Sequence, residues 1–152
     1  MLAPGTPAPP FTLPDHDGAE VSLAHLLRSG PAVLFFYPGD FTPACTAEAC
    51  VFRDMHDLAA NAGVTVAGIN PGSPRMHARF RAAFNLPFRL LSDRGKRVAR
   101  QYEAVGLMGL MVRRVTYLVS QAGVIEDAVE ASLDIARHKA FMRKILDGRS
   151  GA

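Results

Sequence analysis

The sequence predicts an α/β fold: a central mixed β-sheet flanked by helices on both faces, with an N-terminal β-hairpin extension. Three observations carry this. Ala32–Tyr37 is a continuous apolar run, the pattern of a strand buried on both faces of a sheet, and Val64–Ile69 reads as a second buried strand. Amphipathic helical patterns with their own start signals separate the strand-like runs. Near the end, Arg114–Val119 and Val124–Val129 flank Gln121-Ala122-Gly123, a hairpin signal. A β-α-β unit followed by a β-β-α unit puts parallel and antiparallel neighbours into one sheet.

The elements follow in order. Five prolines within the first 14 residues make an extended lead-in. Phe11–Leu13 and Glu20–Leu23 flank the turn Asp15-His16-Asp17-Gly18, which predicts a short hairpin. Ser22 is placed to cap a short helix through Leu27, stopped by Gly30-Pro31. Pro38-Gly39 ends the first buried strand. Thr42 at the N-cap and Pro43 at the first helical position open a helix running to about Ala60. Ser73-Pro74 opens a second, through Phe84 to Asn85. Arg89–Leu91 is a short strand closed by Ser92-Asp93, and a helix follows to about Glu103. Gly106–Met111 reads as a loop. Asp134 starts a last amphipathic helix ending near Asp147-Gly148. This order is the layout of the thioredoxin fold with additions.

At 152 residues, half of them hydrophobic, the chain is read as one domain, 1–152, with a sizeable core. It has no apolar run long enough to span a membrane and no basic-then-apolar leader, so a soluble, cytoplasmic protein is expected. Its 17 basic residues are scattered against 14 acidic ones, without the charged stripe and aromatic platforms of a nucleic-acid binder.

Both cysteines fall where the first buried strand hands over to a helix: Cys45 in the first turn, Cys50 five residues on. The thiolate is the reactive form of a cysteine, and a helix N-terminus with its free N–H groups favours it. The bland account of Cys45 is a small buried hydrophobe, but it follows a loop-to-helix start rather than sitting inside an apolar run. At 100° per residue, Val51, Phe52, Met55, Leu58 and Ala59 share the core face. Cys45 lies at its edge and Cys50 among solvent-facing residues. Glu48 falls on the core face, where a carboxylate needs N–H donors or a cation. Dipole complementarity would satisfy it; so would an arginine from elsewhere that also faces the thiolate. Residues five apart in a helix have Cα atoms about 8–9 Å apart, beyond the limit of about 7 Å for a disulfide. Any bond between Cys45 and Cys50 therefore requires the first turns to unwind. A zinc site lacks ligands: His56 is on the wrong side of the helix for Cys50, and His16, His25, His77 and His138 read as isolated surface residues. A metal site is therefore not expected.

Pro38-x-x-x-Thr42-x-x-Cys45 resembles the active-site motif of the peroxiredoxins, and Thr46-Ala47-Glu48-Ala49-Cys50 resembles their Q-type (bacterioferritin comigratory) subfamily. The likeness also takes in Phe11–Asp15, Leu86-Pro87-Phe88, Leu90–Asp93 and Arg114–Val119. It implies Cys45 as the nucleophile towards peroxides and Cys50 as the residue that resolves its sulfenic acid. It implies Thr42 placing its hydroxyl near the sulfur, Pro38 shielding the site, and Arg114 beside the thiolate, with Arg113 the alternative one residue away. The Ala44 and Cys45 amides would hold the peroxide, and Glu48 would orient the arginine. The implied reaction reduces hydrogen peroxide or organic hydroperoxides through an intramolecular Cys45–Cys50 disulfide, recycled by thioredoxin or a similar thiol, and no organic cofactor is implied. The implied state is a monomer, with a weak dimer as the other reading. Two further readings stand beside it: a one-cysteine peroxidase resolved by an external thiol, and a redox sensor or binding protein using the same switch. The Met- and Leu-rich stretch Val105–Arg113 departs from the subfamily in being short and without an aromatic. Leu107, Met108, Leu110 and Met111 could form a dimer patch or part of the wall around Cys45; burial in the monomer is the simpler expectation.

Overall fold

The computed structural model describes residues 1–131 and 134–150. The one-domain expectation also covers 132–133 and 151–152, which lie outside the described residues. Strands β1 (Thr12–Pro14) and β2 (Glu20–Ser22) form the antiparallel hairpin, followed by the short helix α1 (Leu23–Leu26). The main sheet contains β3 (Ala32–Phe36), β4 (Thr65–Asn70), β5 (Arg89–Ser92), β6 (Val115–Val119) and β7 (Ile125–Glu130). Its order is β5-β4-β3-β6-β7. β3 and β4, and β4 and β5, run parallel, whereas β3–β6 and β6–β7 are antiparallel, so the sheet is mixed as expected. Helices α2 (Pro43–Asp54), α3 (His56–Asn61), α4 (Pro74–Phe84), α5 (Arg97–Gln101) and α6 (Ile135–Ser150) cover it.

Every residue of β3 is buried, and side-chain alternation divides them between two cores. Ala32, Leu34 and Phe36 join the hairpin, α1 and Val98 and Ala99 of α5 on one face. Val33 and Phe35 join Tyr37, Phe52 of α2, Phe80 of α4 and Met142 of α6 on the other. Phe35 stacks on Phe52 with ring centroids 4.4 Å apart, fixing α2 against the sheet.

Several expectations are corrected. The helix expected to reach Ala60 breaks after Asp54, where Met55 leaves helical geometry (φ −98°, ψ 1°) and caps both α2 and α3. The break re-aims the second piece, so Leu58, expected on the core face, is 56% exposed while Ala59 stays buried. The helix after β5 is shorter than expected: Asp93, expected only to close the strand, accepts the amides of Val98 and Ala99 at its start. The last helix begins at Ile135 rather than Asp134 and runs to Ser150. Gly106–Met111 contains a short 3₁₀ turn, Leu107–Gly109, with Met108 at φ 64°. Its apolar side chains are not buried: Met108 is 85% exposed, and Leu110 and Met111 also face outward. The side chain of Leu107 lies outside the description. His77 and His138, expected at the surface, are fully buried.

Candidate active site

β3 runs in the core up to Phe36, and Tyr37–Thr42 leads directly into α2. Pro38 is half-buried at the mouth of that loop. Thr42 is the N-cap: its hydroxyl oxygen accepts the Cys45 amide at 3.3 Å, and its carbonyl accepts the Thr46 amide at 2.8 Å. The Thr42 hydroxyl hydrogen is left for a further partner. The Cys45 amide, expected to hold peroxide, is thus engaged by the cap, while Ala44 supplies a first-turn amide with no intrahelical acceptor.

Cys45 is buried on the apolar side of α2, and both cysteines are free thiols. Arg114, just ahead of β6, places Nη1 and Nη2 each 3.4 Å from Cys45 Sγ. The same Nη1 lies 3.3 Å from Glu48 Oε1. Arg113 takes the other direction, pairing with Glu130 at 3.1 Å near the surface. The two-way choice between the arginines therefore resolves in favour of Arg114. Glu48 is fully buried, and burial pushes its carboxyl up to about 8 against the opposing pull of Arg114. Cys50 sits one and a half turns along, half-exposed.

Two buried polar groups around this core escaped sequence reasoning. Asp40 accepts the Tyr37 hydroxyl at 2.8 Å and the Asn70 amide at 3.1 Å on Oδ1, and meets His77 Nδ1 at 2.6 Å on Oδ2. These bonds tie the loop before α2 to the ends of β3 and β4 and to α4. Gly72 closes the cluster, because a Cβ there would stand 2.9 Å from Asn70 Oδ1 and 3.1 Å from His77 Cε1. The second is His138 on α6, whose Nδ1 faces Thr116 Oγ1 at 2.9 Å and Glu48 Oε2 at 3.4 Å. A signal existed for both histidines. His77 precedes Phe80 and Phe84 at helical spacing, and His138 precedes Phe141, Met142 and Ile145 on one stripe.

Among the described residues no group of three or more acidic, histidine or cysteine side chains could hold a metal ion, and no helix is long and apolar enough to cross a membrane.

A thioredoxin-like sheet carrying a buried thiol in the first turn of a helix, under a guanidinium held by a carboxyl group, defines a thiol-dependent peroxidase. The chain belongs to the AhpC/TSA family, which it matches over residues 4–128, and within it to the Q-type peroxiredoxins. It is 37% identical over 146 residues to the chloroplastic peroxiredoxin Q of Oryza sativa subsp. japonica, an alignment covering 95% of this chain and 67% of that one. The crystal structure of peroxidoxin BcpB from Mycobacterium tuberculosis superposes with a TM-score of 0.85 at 35% identity, covering 95% of this chain and 99% of the other. Peroxiredoxin Q of Xanthomonas campestris gives 0.81 at 25% identity, covering 91% of this chain and 90% of that one. The chain spans about two thirds or less of the length of the plant relatives it matches.

Proposed function

We propose that the protein reduces hydrogen peroxide and organic hydroperoxides with Cys45 as nucleophile and Cys50 as resolving thiol. The observation that carries this is the Arg114 fork, with two N–H groups aimed at one buried sulfur. A guanidinium there stabilises the thiolate and can polarise the peroxide oxygens as charge moves on to them. The Cys45 thiolate forms an S–O bond as the O–O bond breaks, and the departing hydroxide or alkoxide takes a proton from water. Cys45 is then a sulfenic acid. Attack by Cys50 forms the S–S bond and expels water. A thioredoxin-like dithiol restores both thiols by exchange, and its oxidation supplies the two electrons. Thr42 and Ala44 hold the peroxide, Pro38 screens the site, and Glu48 steadies Arg114. A bacterial Q-type relative is described by its alkyl peroxide reduction, which supports the substrate class. The protein is read as a cytoplasmic monomer.

The test is mass spectrometry after one equivalent of hydrogen peroxide. A Cys45–Cys50 disulfide is expected, with Cys45→Ser inert and Cys50→Ser halted at the sulfenic acid. A stable sulfenic acid in the unaltered protein would sink the resolving role of Cys50. Undiminished peroxide consumption by Cys45→Ser would sink the assignment of the nucleophile.

A further inference from the structure

The chain that delivers Cys45 to the site is held from the side of α4. Asp40 lies two residues ahead of the Thr42 cap, its side chain is 1% exposed, and both of its oxygens are engaged. His77, in the first turns of α4 and fully buried, brings Nδ1 to 2.6 Å from Asp40 Oδ2. Asn70 Oδ1 accepts the Gly72 amide at 2.7 Å, which turns its own amide nitrogen towards Asp40 Oδ1 at 3.1 Å. The Tyr37 hydroxyl donates to that same oxygen at 2.8 Å. Groups from the ends of β3 and β4 and from α4 thus converge on one carboxylate of the loop, and hydrogen bonds to a charged acceptor are the strong kind.

The next residue, Phe41, stands at φ 65°. This left-handed conformation is costly for a residue with a Cβ and persists only where the surroundings enforce it. The enforcement is visible on both sides, since Asp40 is tied down before it and Thr42 caps α2 after it. The Phe41 ring itself packs with its centroid 5.1 Å from that of Phe80 and 6.1 Å from that of Phe84. His77, Phe80 and Phe84 are three and four residues apart on α4, which places them on one face of the helix. That face holds the loop twice, by a buried hydrogen bond and by aromatic packing.

The sulfur is supported from elsewhere. Arg114 reaches Cys45 from the chain ahead of β6, and Glu48 backs the arginine from within α2. Neither contact involves α4. The groups read as holding and screening the peroxide are a separate set: Pro38, Thr42 and Ala44 lie on the loop that α4 holds or directly after it.

We propose that His77 is a positioning residue for the peroxide rather than for the thiolate: through Asp40 it fixes the loop of residues 38–42, and with it the place of the Thr42 hydroxyl. His77 acts through Asp40 and the loop, not by contact with the reacting atoms. This rests on the reading of Cys45 as the nucleophile and of Thr42 as a partner of the substrate.

The experiment compares two reactions of Cys45: its rate with hydrogen peroxide by stopped flow, and its alkylation by iodoacetamide, counted on the Cys45 peptide by mass spectrometry. Peroxide must be oriented between the sulfur and Thr42, whereas iodoacetamide reports the thiolate without using the oxygen site. His77→Leu keeps a side chain of similar bulk without a donor. It should slow the peroxide reaction about 10- to 100-fold, the scale set by a misplacement of about 1 Å at a reacting centre, and leave alkylation near the parent rate. His77→Asn, whose amide N–H can stand in for Nδ1–H on a smaller side chain, should recover most of the loss. A general loosening of the fold would instead slow both reactions and would not be relieved by the smaller asparagine. The proposal is overturned if folded His77→Leu keeps the parent peroxide rate, if both rates fall together, or if His77→Asn is no better than His77→Leu. Should His77→Leu fail to fold, Phe41→Ala decides: Phe41 is 46% exposed, so the fold should survive its loss, and the proposal then requires the same split between the two reactions. Failure of the underlying reading shows separately, as peroxide consumption undiminished in Cys45→Ser.

Discussion

Arg113 and Arg114 are neighbours with opposite fates because successive side chains of an extended segment point to opposite sides. One reaches Glu130 near the surface and the other reaches Cys45, 69 residues away in sequence. Arg114→Lys should lower the rate of Cys45 with peroxide by about a hundredfold, since an ammonium cannot offer two fixed N–H groups to one sulfur; stopped-flow measurement checks it. Glu48 gives a pH prediction. Its carboxyl titrates near 8 in the fold and near 4.5 when exposed, so between those values the folded state holds a proton that the unfolded state lacks. The stability this contributes is complete below about 4.5 and lost as pH rises through about 8. Urea unfolding at pH 5, 7 and 9 should show the parent losing a few kcal/mol relative to Glu48→Gln over that range. At this scale, what sequence could show was local chemistry. Cys45, Thr42 and Pro43 announce themselves through capping rules. Asp40 did not, because a polar residue in a turn shows no burial until its distant partner is known; the apolar stripe that carries His138 pointed to a buried face but not to its partner.

Helix α2 is expected to unwind for Cys50 to reach Cys45, and its construction bears on how readily. Its first turn rests on the Thr42 cap, and its last ends at Met55 without a side-chain cap on the helix that follows. Ala47 is exposed between the cysteines. Ala47→Gly should weaken the helix by about 1 kcal/mol and speed disulfide formation after peroxide attack about fivefold, read by quenched mass spectrometry. Oxidation should strip amide-exchange protection from residues 44–50 and leave β3 protected; protection retained in both would refute the unwinding step. Start signals were the most legible features of the sequence: Thr42-Pro43 and Ser73-Pro74 each opened a helix where expected. The Met55 break was not legible, since the apolar spacing continues through it and only packing against the sheet reveals the re-aimed second piece.

The sheet orders its strands so that β3, the strand leading to Cys45, lies at the centre with a core on each face. That arrangement was readable, because continuous apolar runs report burial on both sides. The outward-facing Met108, Leu110 and Met111 were misjudged for the complementary reason: apolar composition does not say whether the fold has room for a segment. Gly68 on β4 shows how little room there is. A Cβ at that position would stand 2.7 Å from the Phe35 ring, the same ring that stacks on Phe52 of α2. Gly68→Ala should cost about 1–3 kcal/mol and lower the melting temperature, with the reactive helix loosened along with the sheet. The Asp40 cluster has the opposite effect on the chain beside it. It moors residue 40 to α4 on one side of the reactive cysteine, while the joint at residue 55 sits on the other. If α2 unravels as proposed, the slack it releases is confined to a strap between these two points, and the reactive end would loosen without the core coming apart.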